Sequence, residues 1–66
     1  MDTRLRPLMK RFRTQSEWWQ AEAARRLANG MWVGASFAQG QEEAYREAAE
    51  AIRRVLEPGP QAQVAA

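Results

Sequence analysis

The sequence has no cysteine and no histidine, and only one tyrosine, three prolines and four glycines among 66 residues. Without Cys or His there can be no zinc finger, iron–sulfur site, thiolate nucleophile or Ser-His-Asp triad. No Gly-rich phosphate loop occurs, and neighbouring Glu residues on an exposed helix have no enclosing pocket to adapt them for catalysis. The expectation is a protein that is not an enzyme and holds no metal or cofactor. No apolar run approaches the ~20 residues of a membrane span, and Met1-Asp2-Thr3-Arg4 lacks a signal peptide's apolar core. Expected localisation is therefore cytoplasmic. Strand-length stretches of β-branched residues are also missing, which points to an all-α chain.

Charge is unevenly spread. The net value of +2 conceals a local +4 over residues 1–13, where Arg4, Arg6, Lys10, Arg11 and Arg13 outnumber Asp2. Glu17 and Glu22 balance Arg25 and Arg26 over residues 14–35, and five Glu against three Arg make residues 36–57 locally −2. Such a gradient suits antiparallel pairing or recognition of a charged partner. Residues 58–66 carry no charge and include Pro58 and Pro60, so a disordered tail is expected there.

Periodicity organises the rest. At about 100° per residue, Leu5, Leu8, Met9, Phe12, Ser16, Trp19, Ala23 and Leu27 share one sector. The phase passes unbroken through Thr14-Gln15-Ser16-Glu17, although that run has the capping-box form. One helix over about 4–29 follows, with Pro7 in its first turn and Asn29-Gly30 as its stop. A second capping box at Ser36-Phe37-Ala38-Gln39 opens a helix over 36–57. Its apolar sector is Phe37, Gln41, Ala44, Ala48, Ile52 and Val55, flanked by Ala38, Tyr45, Ala49 and Leu56. Glu42–Arg46 and Glu50–Arg54 are i,i+4 pairs in the favoured order, and the Glu-early, Arg-late arrangement complements the helix dipole.

A turn over 30–35 makes the domain, residues 1–57, an antiparallel two-helix hairpin. Small residues on the facing surfaces (Ala23, Ala24 and Ala28 against Gly40, Ala44, Ala48, Ala49 and Ala51) allow close approach. Leu5, Leu8, Phe12, Trp19, Leu27, Phe37, Tyr45, Ile52 and Val55 supply the bulk of a hairpin or dimer core. Two helices enclose little, so pairing of two hairpins into a dimeric four-helix assembly is expected.

Four features are candidates for function. Trp18 lies opposite the apolar stripe in a row with Arg4, Arg11 and Arg25, a combination suited to an interface anchor. The same row could track phosphates with Trp18 stacked on a base, a nucleic-acid reading ranked below a protein partner. Glu43, Glu47, Glu50 and Glu57 project together on helix two and could meet a positive protein surface. Gly30-Met31-Trp32-Val33-Gly34 is an unusually apolar turn that either caps the open end of the helix pair or offers Trp32 to a partner. A lipid surface is a weak alternative for the basic amphipathic helix, and no membrane partner is expected.

The run Leu5-Arg6-Pro7-Leu8-Met9, then Phe12-Arg13, then Ser16-Glu17-Trp18-Trp19, resembles the N-terminal helix of small phage-encoded anti-activators of quorum sensing. The likeness covers about 15 residues. Beyond it only the Ser36-Phe37 start and the Ala-rich second helix correspond, and the turn differs. The resemblance implies a homodimer of helical hairpins, made in a bacterial host, that binds the DNA-binding region of a LuxR-type activator. For some members it also implies inhibition of the ATPase that drives type IV pilus assembly. The alternative is a small nucleic-acid- or nucleotide-binding helical oligomer, a sponge or anti-defence protein.

Overall fold

Apolar residues at steps of three and four carry α1 without interruption from Asp2 to Ala28 in the computed structural model, which describes residues 2–57. The expectation for 58–66 lies outside the described residues. The capping box at Thr14 goes unused. Thr14 Oγ1 donates instead to the Lys10 carbonyl at 3.0 Å, a back-bond typical of Thr within a helix. Because α1 begins at Asp2, Pro7 occupies the second turn, not the first as the sequence suggested. The Thr3 carbonyl therefore loses its usual helical donor.

α1 ends in a Schellman motif. Gly30 takes φ +73°, a conformation that glycine adopts without a Cβ penalty. Its N–H donates to the Leu27 carbonyl at 3.0 Å, and the Met31 N–H donates to the Arg26 carbonyl at 2.8 Å. The chain reverses within Asn29-Gly30-Met31, and the Ala35 N–H already donates to the Met31 carbonyl.

The second helix, α2, thus runs Trp32–Leu56. This corrects the expected turn over 30–35 and helix start at Ser36. Met31 is the N-cap and makes no side-chain cap bond, while Ser36 lies exposed inside the helix. Gly34, expected at the far edge of a loop, sits in the first turn of α2. There a Cβ would come within 3.3 Å of Arg26 Cδ. The glycine serves close approach, not chain breaking. The earlier start also leaves no acidic residue in the first turn of α2, although Arg53 and Arg54 do fall in the last.

The described residues form an all-α antiparallel hairpin of 50 × 25 × 12 Å, one helix thick. Its seam is built from small side chains. Met9, Ala23, Ala35, Ala38 and Ala49 are buried, and among the described residues no large side chain is fully buried. Leu5, Phe12, Trp19, Tyr45, Ile52 and Leu56 are half-buried beside that seam. Phe12 meets Tyr45 across it at 5.9 Å between ring centroids.

The contact face of α2 is rotated by roughly a quarter turn from the sector that hydropathy marks in the sequence. Ala35, Ala38, Tyr45, Ala49 and Leu56, mostly expected on a flank, make the seam, whereas Phe37, Ala44 and Val55 are exposed. Of the expected small facing residues, Ala23 and Ala49 are buried, but Ala24, Ala28, Gly40, Ala44 and Ala51 are exposed. Helix axes can approach closely only where side chains are small, so bulky residues are displaced to the flanks. Leu8, Leu27, Phe37 and Val55 therefore lie outside the core of the single hairpin.

Candidate partner-binding surfaces

The slab has two broad faces of different chemistry. On one, Trp19 of α1 packs edge-on against Phe37 of α2 with ring centroids 5.7 Å apart. Leu8, Ala44, Ala48, Ile52 and Val55 continue this side at helical spacing, with Phe37 55% and Val55 69% exposed. Trp18 is also exposed. It stands T-shaped against Trp19 at 4.8 Å, so the two indoles form one aromatic ledge at the edge of the apolar face.

Beside that ledge an ionic cluster holds the turn. Glu22 is buried and accepts from Arg25 Nη2 and, at 2.9 Å, from Arg26 Nε. Arg26 also donates through Nη1 to the Gly34 carbonyl at 3.0 Å and lies 5.7 Å from the centre of the Trp19 ring. One guanidinium thereby ties α1, the start of α2 and the aromatic ledge together. Hydrogen bonding from Arg25, aided by Arg26, outweighs desolvation and holds the Glu22 carboxyl below the usual Glu value. Arg25 is thus engaged with Glu22 and does not stand in a free basic row with Trp18. Sequence spacing carried a signal for the cluster, since Glu22, Arg25 and Arg26 are i, i+3 and i+4, but not for the reach to Gly34.

The remaining candidates are spread over the molecule. Arg11 borders a hollow of about 340 Å³ with Thr3, Arg4, Pro7 and Leu8, on α1 alone. Trp32 and Val33 belong to the first turn of α2 and are 70% and 86% exposed, with Met31 exposed beside them. They are neither a loop nor a cap over the open end of the hairpin, which corrects the expectation of an apolar turn there. Glu43 and Glu47 are exposed on the outer side of α2. Glu50 bonds Arg53, not the expected Arg54, accepting from Nε at 3.0 Å and Nη2 at 2.9 Å. The Arg53 hydrogen bond holds the Glu50 carboxyl below its ordinary value. Glu42–Arg46 forms as the spacing predicts, at 3.3 Å.

Comparison with protein-family models, curated proteins and solved structures finds no match.

The opposite broad face carries a groove of about 420 Å³ that sequence reasoning did not single out. Gln20, Ala23, Ala24 and Leu27 come from α1, and Gln39, Glu42 and Glu43 from α2. Only the pairing of the helices creates it, so no single-helix pattern could have revealed it. Among the described residues there is no group of three His, Cys, Asp or Glu side chains that could hold a metal, and no helix long and apolar enough to cross a membrane.

Proposed function

We propose that this chain is a non-enzymatic protein-binding inhibitor that acts as a pair of hairpins and blocks DNA binding by a LuxR-type transcription regulator. One observation carries the binding role. A one-layer hairpin presents a continuous apolar face around Trp19, Phe37 and Val55, with Glu43 and Glu47 exposed on the outer side of α2. The resemblance of Leu5 through Trp19 to the quorum-sensing anti-activators supports the choice of target. A surface that reads DNA is basic, and the exposed carboxylates complement it.

Charge favours a second copy on the apolar face. Over residues 2–15 there are five basic residues and Asp2, and over 45–57 three Arg and three Glu, so the end of the slab where α1 starts and α2 ends carries +4. Over 16–44 there are two Arg and four Glu, giving −2 at the turn end. Antiparallel two-fold pairing sets each basic end beside the other copy's acidic end while covering Phe37 and Val55.

The test is release of promoter DNA from a LuxR-type regulator, followed by fluorescence anisotropy. Wild-type protein should release DNA near equimolar concentration, and Glu43→Gln with Glu47→Gln should weaken release. Retention of DNA at a large excess of wild-type protein would reject the target. The competing reading, a nucleic-acid binder using Arg4, Arg11 and Trp18, rests on that row's exposure. It predicts direct binding to generic DNA that falls steeply with salt.

A further inference from the structure

We propose that Asn29 is a site of spontaneous covalent modification, converted to aspartate and isoaspartate at a rate set by opening of the turn between α1 and α2. It is the one asparagine in the chain, and it stands exposed directly before Gly30. Glycine leaves its own nitrogen unhindered, and a Cβ added there would meet nothing within 4 Å, so the space around the Asn29–Gly30 link is open. Once the Gly30 amide loses its proton to hydroxide, its nitrogen can attack Asn29 Cγ. The N–Cγ bond forms, the Cγ–Nδ2 bond breaks, and Nδ2 takes a proton from water and leaves as ammonia. Water then opens the resulting cyclic imide at either carbonyl carbon. One opening gives aspartate; the other gives isoaspartate, with the main chain running through Cγ. The sum is water consumed and ammonia released, with nothing oxidised or reduced.

The closed turn holds that nitrogen back. Gly30 N–H donates to the Leu27 carbonyl at 3.0 Å, Met31 N–H donates to the Arg26 carbonyl at 2.8 Å, and Asn29 N–H is shared between the Arg25 and Arg26 carbonyls. Attack requires the Gly30 bond to break, so conversion proceeds from the open turn. Arg26 keeps the turn closed from its other side, through the bond to the Gly34 carbonyl. Both products close it less well. The two Schellman bonds span the Asn29–Gly30 link, and isoaspartate lengthens that link by a main-chain carbon. Aspartate places a carboxylate at the C-terminus of α1, where the helix dipole opposes it. Opening of the turn is thereby recorded irreversibly in the chain, and either product lowers the net charge from the present +2.

The experiment incubates the full chain in mildly alkaline buffer, with and without denaturing guanidinium chloride. Products are separated by cation exchange on the lost charge, and electron-transfer fragmentation in the mass spectrometer locates the change and tells aspartate from isoaspartate. Both products should form at Asn29, about tenfold or more slowly in native buffer than in denaturant, because the turn must first open. Arg26→Gln, shown by circular dichroism to keep its helices, should convert faster than wild type in native buffer and at the wild-type rate in denaturant. Asn29→Gln should stay unconverted over the same time, and purified product should melt below fresh protein. No conversion at Asn29 in denaturant would overturn the site. Equal wild-type rates with and without denaturant, or an unchanged native rate in folded Arg26→Gln, would overturn control by the turn. A product that melts with fresh protein would overturn the irreversible record. Should Arg26→Gln fail to fold, hydrogen exchange of the Gly30 amide in wild type replaces it: added denaturant should raise exchange and conversion in proportion, and conversion that does not follow exchange would refute the gate.

Discussion

Two alanines of α2 distinguish the observed seam from the one that hydropathy suggests. Ala38 is 0% exposed in the helix–helix seam, whereas Ala44, central to the sector marked by hydropathy, is exposed. Ala38→Leu puts three further carbons where the helices approach most closely. Overpacking of this kind costs about 1–3 kcal/mol, and the intrinsic helix preferences of Ala and Leu differ too little to offset it. For a domain of this size each kcal/mol lowers Tm by about 4–8 °C, so a fall of roughly 4–24 °C is expected. Ala44→Leu adds the same carbons to a surface that is open in the single hairpin and, measured in a Phe37→Glu, Val55→Glu background so that no second copy covers it, should stay within about 0.5 kcal/mol of its parent.

Thermal melts followed by far-UV circular dichroism at micromolar concentration, with urea melts of the same proteins, would measure both. Ala49→Leu, at a second buried seam position, should behave like Ala38→Leu. If Ala44→Leu cost as much as Ala38→Leu, the helices would meet through the Phe37–Ala44–Val55 stripe and not through the alanine seam. A neutral Ala38→Leu would refute close packing at that point directly.

Three further outcomes follow from named groups. Gly40 lies inside α2, and a Cβ added there would meet nothing within 4 Å, so Gly40→Ala should stabilise by about 0.5–1 kcal/mol in urea melts, whereas Gly30→Ala, at φ +73°, should cost about 1–2 kcal/mol. The folded Glu22 carboxyl titrates below its unfolded value of 4.5, so its stabilising effect is complete above about that pH and is lost as pH falls through the lower folded pKa; Tm measured against pH should fall less on the acid side in Glu22→Gln than in wild type. Phe37→Glu with Val55→Glu should convert a sedimenting species of twice the 7.5 kDa chain mass to one of chain mass, and a wild-type chain that sediments as a monomer at high concentration would exclude pairing through this face.

Much of the hairpin is legible in the sequence because its signals are local. Apolar spacing from Leu5 to Leu27 carries one uninterrupted helix, and Asn29-Gly30 specifies a stop that the Schellman bonds realise. The start of α2 is hidden because Gly34 and Ser36 look like punctuation. Gly34 is instead a helical position at which Arg26 must come close, a requirement visible only across the turn. The phase of α2 is hidden because hydropathy assigns the core to Phe37, Ile52 and Val55, while steric fit gives the seam to Ala35, Ala38 and Ala49. Of the candidate surface residues, Arg25 and Glu50 are held by neighbours three positions away. Trp18, Trp32, Glu43 and Glu47 stand exposed.

The exposed bulk and the small seam have one physical origin. Two helices that pair through alanine leave little apolar area hidden between them, since Ala23, Ala35, Ala38 and Ala49 each contribute only a methyl group. The large side chains that would have enclosed a core stand on the flanks, where a single layer 12 Å thick cannot cover them. Their distribution is uneven: Trp19, Phe37 and Val55 gather on one broad face, while the groove lined by Glu42 and Glu43 lies on the other. Covering the apolar face with a second hairpin therefore adds buried area without consuming the polar face. A hairpin of this thickness can thus gain buried area through one side while the other stays open to solvent.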